Sequence, residues 1–204
     1  HKPVLGTVTL RDFCNRDETK VPPYFEVISV IDHHKVSLST QSPPSALITD
    51  QQSSNALVAQ LSFEINAPFS MQGRIADDVM KEAAAMQKDL TTARGKRIMQ
   101  RLLQKQLVAE SKGSFFVDAS REYVEYLHCL YAILDDTDLL SKVSVKDLQC
   151  VAHLLNSMKS IAMGHECEII SFDDIPRGPS YLSACAKRCL LYTSPSPRDQ
   201  RGSR

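Results

Sequence analysis

The stretch Glu26-Val27-Ile28-Ser29-Val30-Ile31 runs into Asp32-His33-His34, so that an acid and two histidines follow directly on a β-branched apolar run. One carboxylate and two imidazoles make a donor set for a divalent cation. Neutral imidazole suits zinc, iron and similar ions, and carboxylate oxygen suits magnesium and manganese. The same tripeptide also occurs as a plain surface histidine pair after a core strand, so residue types alone leave both readings open. A further acid, Asp12, closes the strand-like stretch 4–10, and Asp135, Asp136 and Asp138 surround Thr137 after the apolar stretch 122–134. Carboxylates at a helix C-terminus oppose the macrodipole and want a cation. His165, Cys167, Cys185 and Cys189 are zinc-ligand types, but their spacing matches no ligand knuckle.

Such residues act together only if the ends of several elements meet. Val27, Ile28, Val30 and Ile31 are apolar on both pleat faces, which predicts a strand buried on both sides in a parallel sheet. Open α/β sheets carry their chemistry beyond the carboxyl ends of such strands. Residues 15–23 are too short for a full crossover helix, and 37–50 reads as a loop leading to a short strand at Ala46-Leu47-Ile48. Ser53-Ser54-Asn55 offers N-cap side chains for a helix with the apolar stripe Leu57, Leu61 and Ile65.

From 71 to 112 the pattern is helical, through Ile75, Val79, Ala83, Met86 and Leu90 and then Ile98, Leu102 and Leu103, with Gly95 as the interruption. Asp77 and Asp78 are structural, since helix neighbours point about 100° apart. Arg94, Lys96, Arg97, Arg101 and Lys105 form a basic run, either a solvated face or a patch toward an anionic substrate. Ser144 and Asp147 form a capping-box pattern for a helix through Lys159, with Leu148, Val151, Ala152, Leu155 and Met158 inward and His153 half-exposed. Glu168-Ile169-Ile170 is a candidate strand and 173–179 a linker.

A chain of 204 residues suffices for one substantial core, or one domain and part of another. Equal totals of 24 basic and 24 acidic residues give no global field for nucleic acid or an anionic membrane. The absence of tryptophan and the scarcity of other aromatics argue against base stacking. No run approaches the roughly 18 apolar residues of a membrane span. Six cysteines without a C-x-x-C pair read as reduced thiols of a cytoplasmic protein. The start, His1-Lys2-Pro3-Val4, carries no secretory signal and reads as a point inside a longer protein. Residues 190–199 resemble a translated cloning adaptor, so 189–204 is read as a non-native tail.

In their order, Asp12, Asp32-His33-His34 and Asp136-Thr137 resemble the DHH phosphoesterase superfamily, most closely its manganese-dependent family II inorganic pyrophosphatases and exopolyphosphatases. Asp136 rather than Asp135 matches that pattern because it directly precedes Thr137. The resemblance implies an α/β fold with a parallel sheet flanked by helices over 1–160. Residues 70–120 would be a helical insertion outside the metal centre, and 161–188 a linker or the start of a second domain. It implies two divalent ions, Mn2+ or else Co2+ or Mg2+. Asp12 would bridge them, His33 and Asp136 would be further ligands, Asp32 would orient a histidine and His34 would donate to the substrate phosphate. The implied reaction is hydrolysis of a small anionic phosphate, pyrophosphate or polyphosphate, by metal-activated water. The superfamily's first motif, a histidine and two close acids ahead of Asp12, is not found in residues 1–11. Nor is its substrate-closing C-terminal domain recognisable, which keeps open a catalytically incomplete metal- or phosphate-binding or regulatory module. A phosphodiesterase acting on small nucleotides is the third reading; such members add a glycine-rich domain that is not seen here.

Overall fold

Three strands lie side by side: β1 (Gly6–Arg11), β2 (Phe25–Asp32) and β3 (Ser45–Ile48), all parallel and in the order β1-β2-β3. They belong to a computed structural model that describes residues 3–14, 20–35, 37, 40, 42–86, 89–111 and 116–193. Gly6 pairs with Phe25 and Arg11 with Ile31, with a register shift between Val8 and Thr9; Ser29 pairs with Ser45 and Asp32 with Ile48. The ladder runs past the strand ends, since Asp12 N donates to Ile31 O at 2.9 Å and Thr49 N to Asp32 O at 3.3 Å. All three carboxyl ends therefore finish at one sheet edge.

Helix α1 (Ser54–Asn66) follows β3 and packs on β2; its N-cap is Ser53, whose side chain accepts from Asn55 N. Helices α2 (Ala76–Met86) and α3 (Ala93–Glu110) form a hairpin with its own small core of Met71, Val79, Ile98, Leu102 and Val108. The main core lies among α1, α4 (Ala119–Asp136), α5 (Val145–Met163) and α6 (Tyr181–Thr193). Ser144 and Asp147 close a full capping box on α5, and Gly164, at φ 69°, ends it. Leu148, Val151 and Leu154 of α5 are almost wholly buried, each worth about 1.5–3 kcal/mol of apolar transfer. The fold is thus α/β, a parallel sheet flanked by helices.

Several local expectations are corrected. Ile28 is 49% exposed, so β2 is not covered on both faces along its length. The inward face of α1 is Ala56, Leu57 and Ala59, whereas Ile65 is exposed. Residues 168–170 join no strand: Asn156 substitutes for one, its Oδ1 accepting from Ile169 N and Ile170 N and its Nδ2 donating to Ile170 O. Within 161–188, read as a linker or the start of a second domain, Ile170, Ile175, Tyr181 and Cys185 enter the main core. Residues 189–193, the start of the stretch read as a tail, complete α6 with Cys189 fully buried; 194–204 lies outside the described residues.

Gly95 does not interrupt a helix; it sits in the first turn of α3, against the backbone of the preceding turn. A Cβ there would lie 2.0 Å from Asp89 O. Gly95→Ala is therefore expected to destabilise by about 1–3 kcal/mol through overpacking. Urea unfolding should show a lower midpoint with an unchanged slope.

Candidate metal centre

At the shared carboxyl edge, ligand atoms of Asp12, His33 and His34 all come within 4.8 Å of one another. Asp12 Oδ1 lies 3.2 Å from His33 Nε2 and 3.2 Å from His34 Nδ1. That oxygen is buried and accepts no hydrogen bond among the described residues. A carboxyl oxygen buried between two imidazoles without a hydrogen bond is an environment a divalent cation relieves, and the mixed O,N,N set fits one such ion.

The backbone that delivers Asp12 is unusual. Asp12 and Phe13 follow β1 in the left-handed region, at φ 64° and 49°, a conformation that costs non-glycine residues of order 1–3 kcal/mol each. The turn aims Cys14 N at Asp32, whose Oδ2 accepts from it at 2.7 Å. Asp32 is fully buried, and its Oδ1 accepts from His33 N at 2.7 Å, His34 N at 2.9 Å and His34 Nδ1 at 2.9 Å. Burial alone would raise this carboxyl, but the backbone donors of His34 and Cys14, with their side chains, outweigh it and hold Asp32 well below the usual carboxylate range. An ionised carboxylate only accepts, so Nδ1 of His34 carries the proton and Nε2 is the ring's free nitrogen. Phe13 stacks on the His34 ring at 4.1 Å and His33 lies 4.0 Å from His34, which further fixes that ring.

Of the sequence-derived site residues, the structure brings together Asp12, His33 and His34, with Asp32 behind them. It does not bring Asp136 into that group. Asp136 ends α4, where its Oδ2 accepts from Ser53 Oγ at 2.6 Å and Asn55 Nδ2 at 2.8 Å. Asn55 in turn accepts from Arg11 Nη1 at 3.1 Å, which ties the end of β1 to the start of α1. The Asp135 side chain is exposed and takes no part in these bonds. Thr137 is fully buried and caps α4, its Oγ1 donating to Ile133 O and accepting from Leu140 N. His165, Cys167, Cys185 and Cys189 form no metal-capable group among the described residues, and all six cysteines are free thiols.

In the basic run of α3, Arg94 and Lys96 are exposed, whereas Arg97, Arg101 and Lys105 are held by acids. Arg97 binds Glu168 and Asp173, Arg101 binds Glu166 and Glu168, and Lys105 binds Glu166. Arg74, with a side chain only 1% exposed, shares Glu166 Oε1 with Lys105, at 2.8 Å. The spacing of 97, 101 and 105 put the three cations on one helix face. Nothing local pointed to acids more than sixty residues downstream. Phe13 and Cys14 also escaped sequence reasoning, because their part in the site is a stack and a backbone donor rather than a ligand type.

No helix among the described residues is long and apolar enough to cross a membrane. Comparison with protein-family models, with curated proteins and with solved structures finds no match to this chain.

Proposed function

We propose that the chain is a divalent-metal-dependent hydrolase of phosphoanhydride bonds, of DHH phosphoesterase type, acting on pyrophosphate or polyphosphate. The observation that carries this reading is the meeting of Asp12, His33 and His34 at the ends of two adjacent parallel strands, with the ionised Asp32 behind His34. Mn2+ is the ion of choice for that donor set, with Co2+ and Mg2+ as alternatives. A metal bound there would supply a Lewis acid for phosphoryl oxygens and an acidified water. Asp12 and His33 would hold the ion. Asp32 keeps the His34 ring in one orientation, and His34 would face a phosphoryl oxygen of the substrate as donor. Asp136 belongs to a second ion's ligand set in this reading, and must leave Ser53 and Asn55 to join it.

That engagement of Asp136 favours a second reading. The grouped residues offer ligands for one ion, and in-line phosphoryl transfer of this type uses two. A metal- or phosphate-binding module without turnover needs only the first. Calorimetric titration with Mn2+ and a phosphate-release assay on pyrophosphate, tripolyphosphate and a cyclic dinucleotide separate the readings. Hydrolysis requires manganese-stimulated phosphate release that disappears in His33→Ala. Metal binding with no turnover of any substrate selects the module, and a chain that binds none of Mn2+, Co2+ or Mg2+ overturns both.

A further inference from the structure

A cavity of about 240 Å3 opens between α1, α3, α4 and α5, and none of the Asp12, His33 and His34 group lines it. Drug-sized ligands occupy roughly 300–1,000 Å3, so this space suits a smaller molecule. One wall is aromatic: the Phe63 ring lies 4.0 Å from His153 and meets Tyr126 edge-on at 5.3 Å.

Two buried charges of opposite sign face the same space. Glu122 is 1% exposed, and its carboxylate accepts only hydroxyl donors, Ser70 Oγ at 2.6 Å and Tyr126 OH at 2.7 Å, with no ion pair among the described residues. Two hydroxyls leave lone pairs free, since a carboxylate takes about four donors. Lys105 is 7% exposed and donates to Glu166 Oε1 at 2.7 Å. An ammonium has three donors, so two of its N–H groups have no protein acceptor among the described residues. Arg101 extends the cationic side of the wall.

This arrangement sorts ligands by charge. A simple anion would face Glu122, and a simple amine would face Lys105 and Arg101. A bare metal ion lacks a third ligand, because the described residues contain no other group of three metal-capable side chains. A molecule that carries an ammonium and a carboxylate on one end and an apolar group on the other meets both buried charges and the aromatic wall. We propose that the cavity binds a small zwitterion of the α-amino-acid class, with its ammonium on Glu122, its carboxylate on Lys105 and Arg101, and its side chain against Phe63.

The test is calorimetry on the full chain with the common α-amino acids and, for any that binds, its N-acetyl and carboxamide derivatives. At least one apolar amino acid should bind, and each blocked derivative should bind roughly tenfold or more weakly, because each loses one charge-assisted contact. Glu122→Gln keeps an acceptor for one of the two hydroxyls and presents an N–H to the other, which can accept it, and should weaken the free amino acid by a similar factor with the helical circular dichroism unchanged. Lys105→Met gives the carboxylate side, but it also unpairs Glu166, so the blocked ligands on the unaltered protein carry that arm if the variant does not fold. No binding by any amino acid overturns the proposal. So does a blocked form that binds as tightly as the free one, or full affinity in folded Glu122→Gln.

Discussion

Asp12→Asn is expected to lower Mn2+ affinity by more than about 100-fold, because outer-shell partners of a metal ligand alone are worth roughly 10–100-fold. The substitution tests charge and ligation rather than folding. Asp12 sits at φ 64°, and asparagine is one of the few side chains that accept the left-handed region readily. The backbone path from β1 to Cys14 therefore survives, and a thermal unfolding curve without metal should match that of the unaltered chain. Asp32→Asn should cost about 10–100-fold while leaving the Asp12 and His33 side chains chemically unaltered. Its neutral amide is a weaker acceptor for His34 Nδ1 and presents an N–H where Oδ1 or Oδ2 now accepts. Titration of both variants with Mn2+ in one calorimetric series ranks them. Equal affinities for Asp12→Asn and the unaltered protein would remove Asp12 from any metal site.

Glu166→Ala is expected to be the most destabilising single change away from the sheet, by about 3–5 kcal/mol, the usual cost of removing one partner from a buried ion pair. Glu166 has a side chain 1% exposed and touches Arg74 at 2.8 Å, Arg101 at 2.9 Å and Lys105 at 2.7 Å. Its loss leaves Arg74, whose Nε already has no partner among the described residues, and Lys105 buried without their main counter-charge. Burial by itself would raise the Glu166 carboxyl; Lys105, Arg74 and Arg101 reverse this and bring it from an ordinary 4.5 down to about 2. A carboxyl lowered on folding stabilises the native state fully above its unfolded value and loses that contribution as pH falls through its folded one. The chain should therefore lose stability between about pH 4.5 and 2. Glu166→Gln, already less stable at neutral pH, should lose less over that window. Urea midpoints at pH 7, 4 and 3 for both proteins measure it, and parallel losses would show that Glu166 does not carry this pH dependence.

The features that nearest neighbours dictate were legible in the chain. The β-branched run that ends in Asp32-His33-His34 is β2 with its acid and histidines at the strand end. Ser53 caps α1, and Ser144 with Asp147 closes the box on α5. Val79, Ile98 and Leu102 are inward positions of the helical hairpin. Each follows from side-chain period or from a polar group within three residues of the backbone it satisfies. Asp12 and the two histidines were readable as donor types, but their meeting at 3.2 Å depends on a turn through left-handed Asp12 and Phe13, with no glycine or asparagine there to announce it. The partners of Asp136 and of the α3 cations were likewise set only by packing. Ser53 stands 83 residues from Asp136, and Glu166 stands 92 from Arg74 and 65 from Arg101. A lone acid or base in a sequence states its charge; which opposite charge it meets, and whether water is excluded from the pair, is decided when helices dock. The same holds for α6, where Cys189 is buried because the helix lies on α5, a contact that no local pattern around residue 189 encodes.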